Sequence, residues 1–224
     1  MWCVAELNQT YIERMEDVLA TYEKPLSSEE PVVCEDEKAV SLHREIREPQ
    51  GMQAGQIARR DSEYKRCGTA NIFCGVEAKA GVHFTKVTSR RSAREWAIFM
   101  KEIADFYPHA QTIHLVVDNL NIHRRKALVD CYGEEQGEAL WKRFTVHYTP
   151  KHGSWLNQAE IEIGLLARQC LGKRRIDEIV RLEQEVSAWN QAINHRATLI
   201  QWKFDRIKAR EKFRYSPIIK RSEN

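Results

Sequence analysis

The stretch from Thr112 to Cys170 constrains the fold most. It opens on Ile113, Leu115, Val116 and Val117 and stops abruptly at Asp118-Asn119. Such a run reads as a buried strand that delivers a carboxylate at its C-terminal end, on a rigid element. A second β-rich run, Phe144 to Tyr148, reaches a Pro-Lys-His-Gly turn and then a helix with Glu160 in its first turn. Upstream, a short strand Pro31-Val32-Val33-Cys34 runs into Glu35-Asp36-Glu37. Two strand-end acids and one helix-start acid form a set of three carboxylates suited to hard divalent cations such as Mg²⁺.

Periodicity supplies the remaining elements. Tyr11, Met15, Val18-Leu19 and Tyr22 recur at helical spacing over residues 8–24, which predicts a helix with a core-facing stripe. Lys24-Pro25 ends it, and a polar linker leads to the first strand. Residues 45–62 carry no usable period and read as a loop. Tyr64–Val76 and Val82–Val87 read as a hairpin, and Arg90–Phe106 as a helix with Trp96, Phe99-Met100 and Ile103 on one side. Asn121–Ala139 reads as helix interrupted near Cys131-Tyr132-Gly133. Ile176–Phe213 is a long helical tract, with a break expected at Asn194–Thr198. This succession suits an α/β domain built on a mixed sheet.

Within the acidic motifs, residues alone leave choices open. Alternation along a continuing strand would set Glu35 and Glu37 opposite Asp36. Glu160 and Glu162 lie about 200° apart on a helix, so the two do not share one site. Asn157-Gln158-Ala159-Glu160 also matches a variant capping box, and Asp118 or Asn119 is a candidate helix cap. His123 has no assigned role.

VVCEDEK, HLVVDNLNIH and YTPKHGSWLNQAEIE resemble the catalytic signatures of DDE transposases, in the bacterial insertion-sequence branch of the mariner superfamily. The segment WCVAELNQTYIERMEDVLATYEKP resembles what precedes the first Asp in that branch. The motifs arrive in the family's order and span nearly the whole chain. The resemblance implies a ribonuclease H-like fold, and it selects Asp36, Asp118 and Glu160 as catalytic metal ligands. Two Mg²⁺ ions, with Mn²⁺ as a substitute, would neutralise the three acids and clamp the oxygens of a scissile phosphodiester. Lys151, His152, Ser154, Trp155 and Asn157 are then candidates to hold DNA, Trp155 by stacking on an unpaired base or else as an apolar anchor. Ala39-Val40-Ser41-Leu42 departs from the family, where many relatives carry Pro and Gln. The expected division is an N-terminal helix and linker over 1–30, a catalytic domain over 31–172 and a helical extension over 173–224. Relatives carry helix-turn-helix modules before the catalytic domain, and this chain is expected to lack them.

Charge bears on the partner. Residues 1–50 hold 5 Lys/Arg against 12 Asp/Glu, whereas residues 171–224 hold 13 against 7. A basic C-terminal third with Lys173-Arg174-Arg175 at its start suits a polyanion, through backbone contacts blind to sequence. Transposon ends and target DNA are the expected partners, with a second copy or a full-length transposase as a further one. No run approaches the roughly 18 apolar residues of a membrane span, and no signal-peptide pattern opens the chain, so a cytoplasmic, nucleoid-associated bacterial protein is expected. Six cysteines include no C-x-x-C pair, which argues for reduced thiols. The rival readings are a ribonuclease H-like nuclease and a non-catalytic fragment that binds DNA or a partner.

Overall fold

The computed structural model describes residues 7–216; Cys3 and the first residues of the mariner-like N-terminal segment lie outside them, as does the tail of the expected extension. The chain opens with α1 (Gln9–Glu23), capped by the Asn8 side chain accepting from the Tyr11 N–H. Its stripe of Tyr11, Met15, Val18, Leu19 and Tyr22 is buried, as the spacing predicts. Three strands follow, β1 (Val32–Glu45), β2 (Tyr64–Glu77) and β3 (Val82–Thr88). Helix α2 (Ala93–Phe106) starts on a Ser92 cap and buries Trp96, Phe99, Met100 and Ile103. Then come β4 (Ile113–Val117), α3 (Arg125–Tyr132), α4 (Glu134–Trp141) and β5 (Phe144–Tyr148). The expected interruption falls at Gly133, whose φ of 84° few side chains tolerate. A short 3₁₀ turn leads into α5 (Ala159–Leu166), and α6 (Ile179–His195) and α7 (Arg206–Phe213) complete the order.

The five strands form one mixed sheet in the order β3-β2-β1-β4-β5. The β1–β2 and β2–β3 pairs are antiparallel, and β1–β4 and β4–β5 are parallel. One expectation needs correction: β1 does not end near Cys34. It continues through Asp36 to Glu45, because antiparallel pairing with β2 satisfies its backbone along the whole length. Asp36 is therefore a mid-strand residue, and Asp118 alone stands at a strand end. Between Glu45 and Tyr64 the chain has only the isolated bridges Gln50–Arg59 and Gln53–Gln56, in line with a loop.

Alternation divides β1 between two cores. Val33 packs with α2, α3 and the buried faces of β4 and β5. Cys34 packs on the opposite face with α1, Val116, Leu156 and Ala159. That second core also takes in Ile200 and Ala209, so α1 and the C-terminal helices share the apolar interior of the sheet. Leu182 and Val186 of α6 cover Ile72 and Cys74 of β2. At the C-terminus, Arg206 pairs with Glu23 and Arg210 with Glu16, docking α7 on α1. Among the described residues the five cysteines are free thiols, and no helix is long and apolar enough to cross a membrane.

Candidate active site

The parallel pairing of β1 with β4 places the first two acids. Cys34 faces Val116 in the last pair of that ladder, which sets Asp36 and Asp118 level, two residues further along neighbouring strands. Glu160 is brought in by a latch. The buried Asn157 donates its amide N–H to the Glu35 carbonyl at 2.8 Å, and its side-chain oxygen accepts from the Ala159 N–H at 3.1 Å. The start of α5 is thus tied to β1 one residue from Asp36. Glu160 keeps an exposed side chain, and its N–H bonds the Asn157 carbonyl. Gly153 makes the preceding turn possible, since a Cβ there would meet Pro150 Cγ at 2.5 Å.

The charges of the other two acids reach Asp36. Burial pushes the Asp36 carboxyl up to about 7, against a hydrogen bond from the Glu37 N–H, and the charges of Glu160, Glu37 and Asp118 add to the rise. Asp118 moves the other way. Burial acts against its charge, but hydrogen bonds from His123 and the Leu120 N–H outweigh it and hold the carboxyl below its ordinary value. The neighbouring acid on the helix, Glu162, is spent elsewhere: fully buried, it bonds His83 Nδ1 at 2.8 Å.

Behind this site lies a cluster that sequence reasoning missed. Glu35, Glu37 and His123 bring ligand atoms within 4.8 Å of one another, closer than Asp36, Asp118 and Glu160 gather. They occupy the face of β1 opposite Asp36. His123 Nε2 lies 2.9 Å from Glu37 and 3.5 Å from Glu35, and its Nδ1 lies 2.9 Å from Asp118. Burial works against the imidazolium, but the Glu35 charge and the bonds to Asp118 and Glu37 win and push it up to about 11. Both ring nitrogens of His123 are engaged by carboxylates, which makes this an internal hydrogen-bonded cluster of acids and imidazole. Trp96 completes it by donating to Glu35 at 3.1 Å and lying against the imidazole.

The remaining predicted residues separate into groups. Lys151, His152 and Ser154 are exposed on the turn before Glu160. Trp155 is part exposed, donates to the Tyr11 hydroxyl at 3.2 Å and meets Phe204 edge-on, so it anchors the turn. Two residues expected to touch DNA are engaged within the fold instead. Asn157 is buried and committed at both ends, and Arg175 is bound by Glu45 at 2.5 Å and by the Asp61, Ser62 and Glu63 carbonyls. Arg174 pairs with Glu185, and Lys173 is exposed. Arg14 of α1, which donates to the Asn119 side chain, was not foreseen.

The fold is that of the ribonuclease H-like catalytic domains of mariner transposases. The chain superposes on a Mos1 mariner paired-end complex with Mn at a TM-score of 0.57 and 17% identity, covering 88% of this chain and 61% of that one. For the Mos1 strand transfer complex the values are 0.58 and 17%, over 86% and 57%. For the paired-end complex with Mg they are 0.55 and 17%, over 88% and 62%. The chain therefore spans about three fifths of the mariner chains it matches. Among curated proteins, no sequence matches it. Residues 31–183 match the family described as DDE superfamily endonuclease, and the chain belongs to that family.

Proposed function

We propose that this chain is the catalytic domain of a transposase, which cleaves DNA at transposon ends and joins the freed 3′-ends to target DNA. The observation that carries the reading is the parallel β1–β4 register that sets Asp36 level with Asp118, with the start of α5 and its Glu160 latched to β1 through Asn157; the charges of Glu160 and Asp118 add to the rise of the Asp36 carboxyl. Carboxylates crowded in this way favour a hard divalent cation bound through oxygen. Asp36, Asp118 and Glu160 would hold Mg²⁺ or Mn²⁺, two ions in the full site. Mos1 structures with Mn and with Mg support that class of ion. Such ions supply charge at the scissile phosphate and lower the pKa of a bound water.

The chain's own residues position and exclude. His123 and the Leu120 N–H fix the Asp118 carboxylate, and the Glu37 N–H holds that of Asp36. The Asn157 latch keeps α5, and Glu160 with it, against β1. Water displaces the 3′-oxygen at a phosphodiester; the 3′-hydroxyl released then displaces a 3′-oxygen in the target. Neither displacement needs a covalent bond to protein. Lys151, His152 and Ser154 lie on the turn beside the acids and suit the DNA backbone.

The test is nicking of duplex DNA that carries the transposon ends, in Mg²⁺. Asp118→Asn should lower nicking by at least about a thousandfold, because the amide supplies no charge to the ions, and should lower the melting transition only modestly, since the amide oxygen can still accept from His123 and the Leu120 N–H. Calorimetric titration with Mn²⁺ should show weaker binding to the same variant. Full activity in chelator would overturn the reading.

A further inference from the structure

Between α1 and the turn after β5 lies a cleft of about 380 Å³, lined by Asn8, Thr10, Tyr11, Arg14, Pro150, Lys151 and His152. Two elements far apart in sequence thus direct Arg14, Lys151 and His152 at one space. Among the described residues, no carboxylate lines it. Arg14 also reaches out of the cleft to the Asn119 side chain, whose amide donates to the Thr149 carbonyl at 2.6 Å. Arg14 thus joins the cleft to the residue that follows Asp118.

A larger basic groove elsewhere, about 700 Å³, makes an instructive contrast. Its cations outnumber those of the cleft, but Glu45, Glu48 and Asp177 line it too. Arg44 is held by Asp177, Arg60 and Arg175 by Glu45, and Arg174 by Glu185. Much of that positive charge is neutralised within the fold. In the small cleft, Arg14 has among the described residues only a neutral amide as a partner, and Lys151 is exposed.

We infer that this cleft binds a phosphate of the DNA backbone, with Arg14 and Lys151 as its charged ligands and the strand running on from there toward Asp36 and Asp118. The inference rests on the reading that the chain acts on DNA, and it adds a subsite built partly by the first helix. A guanidinium and an ammonium both suit a phosphate, the first as a planar fork and the second as a point charge.

The experiment is fluorescence anisotropy of the chain with a 20-base-pair duplex of arbitrary sequence, in chelator, across a series of salt concentrations. Removing one cation that neutralises a phosphate lowers the slope of log affinity against log salt by about 0.9. The double variant Arg14→Gln/Lys151→Gln should bind roughly tenfold more weakly at low salt, with a slope smaller by close to two. Lys151→Gln alone, on an exposed turn, should show about half of that slope change, which keeps the test open if the double variant folds poorly. Arg14→Lys, which keeps the charge, should retain the wild-type slope. Wild-type slope and affinity within twofold in both Gln variants would overturn the inference, while Mg²⁺-dependent nicking by the wild type would leave the functional reading intact. An equal weakening from Lys65→Gln/Lys142→Gln, exposed lysines elsewhere that pair with no carboxylate among the described residues, would also overturn it, since removing any positive charge would then suffice. A wild-type chain that neither binds nor nicks DNA would remove both.

Discussion

His123 is where the acids of this site are reconciled with the fold. Glu35 is fully buried, one of its carboxylate oxygens has no hydrogen-bond partner among the described residues, and Glu37 lies beside it. The imidazolium between them is the internal counterion that lets β1 carry three consecutive acids. Removing one partner of a buried ionic group costs far more than the pair contributes, because the charges left behind stay desolvated. His123→Ala should therefore destabilise the protein by about 3 kcal/mol or more in urea unfolding. Adding Glu35→Gln to it should recover part of that stability. Equal stability of wild type and single variant would mean that solvent reaches the cluster. None of this was legible in the sequence: His123 bonds Glu37 across 86 positions and Arg14 bonds Asn119 across 105. Asp118 was legible because a local apolar strand announces it.

At the scale of elements, the turn from β5 to α5 decides where Glu160 stands. It carries His152 at a φ of 63° and places Gly153 directly against Pro150. Gly153→Ala should cost about 1–3 kcal/mol through overpacking and shift the turn. The expected result is a lowered melting temperature, with Mg²⁺-dependent nicking reduced more than DNA binding. The helices were legible wherever one face is buried, as the stripes of α1 and α2 attest. Strand β1 was not legible in full. Its outer half pairs with β2 in a hairpin whose residues are mostly part exposed, so the apolar signal stops while the ladder continues. Glu162 could have been recognised as internal only through His83, 79 positions away.

Across the whole molecule, the C-terminal helix closes the structure onto its beginning. Glu16 accepts from Arg210 and from the Tyr215 hydroxyl at 2.8 Å. Burial acts to raise its carboxyl, but these bonds and the Arg210 charge prevail and lower it. A carboxylate lowered on folding contributes stability above its unfolded value of 4.5, and that contribution is lost as pH falls through the folded value. Glu16→Gln should accordingly be less stable than wild type at pH 7, by on the order of 1 kcal/mol. The deficit should shrink toward zero as both proteins are acidified below the carboxylate range, as measured by thermal melts over a pH series. A deficit independent of pH would assign the effect to packing.

The same docking has a topological consequence. Tyr215 and Glu16 touch, and Glu16 lies two helical turns from the start of α1, so the described chain comes close to forming a ring. Its first and last helices lean on one another and jointly support Trp155 and the turn before Glu160. Order of synthesis and order in space therefore diverge. The first described helix is made long before α7, so the ion pairs that join the two form only after the sheet on which both pack has been synthesised.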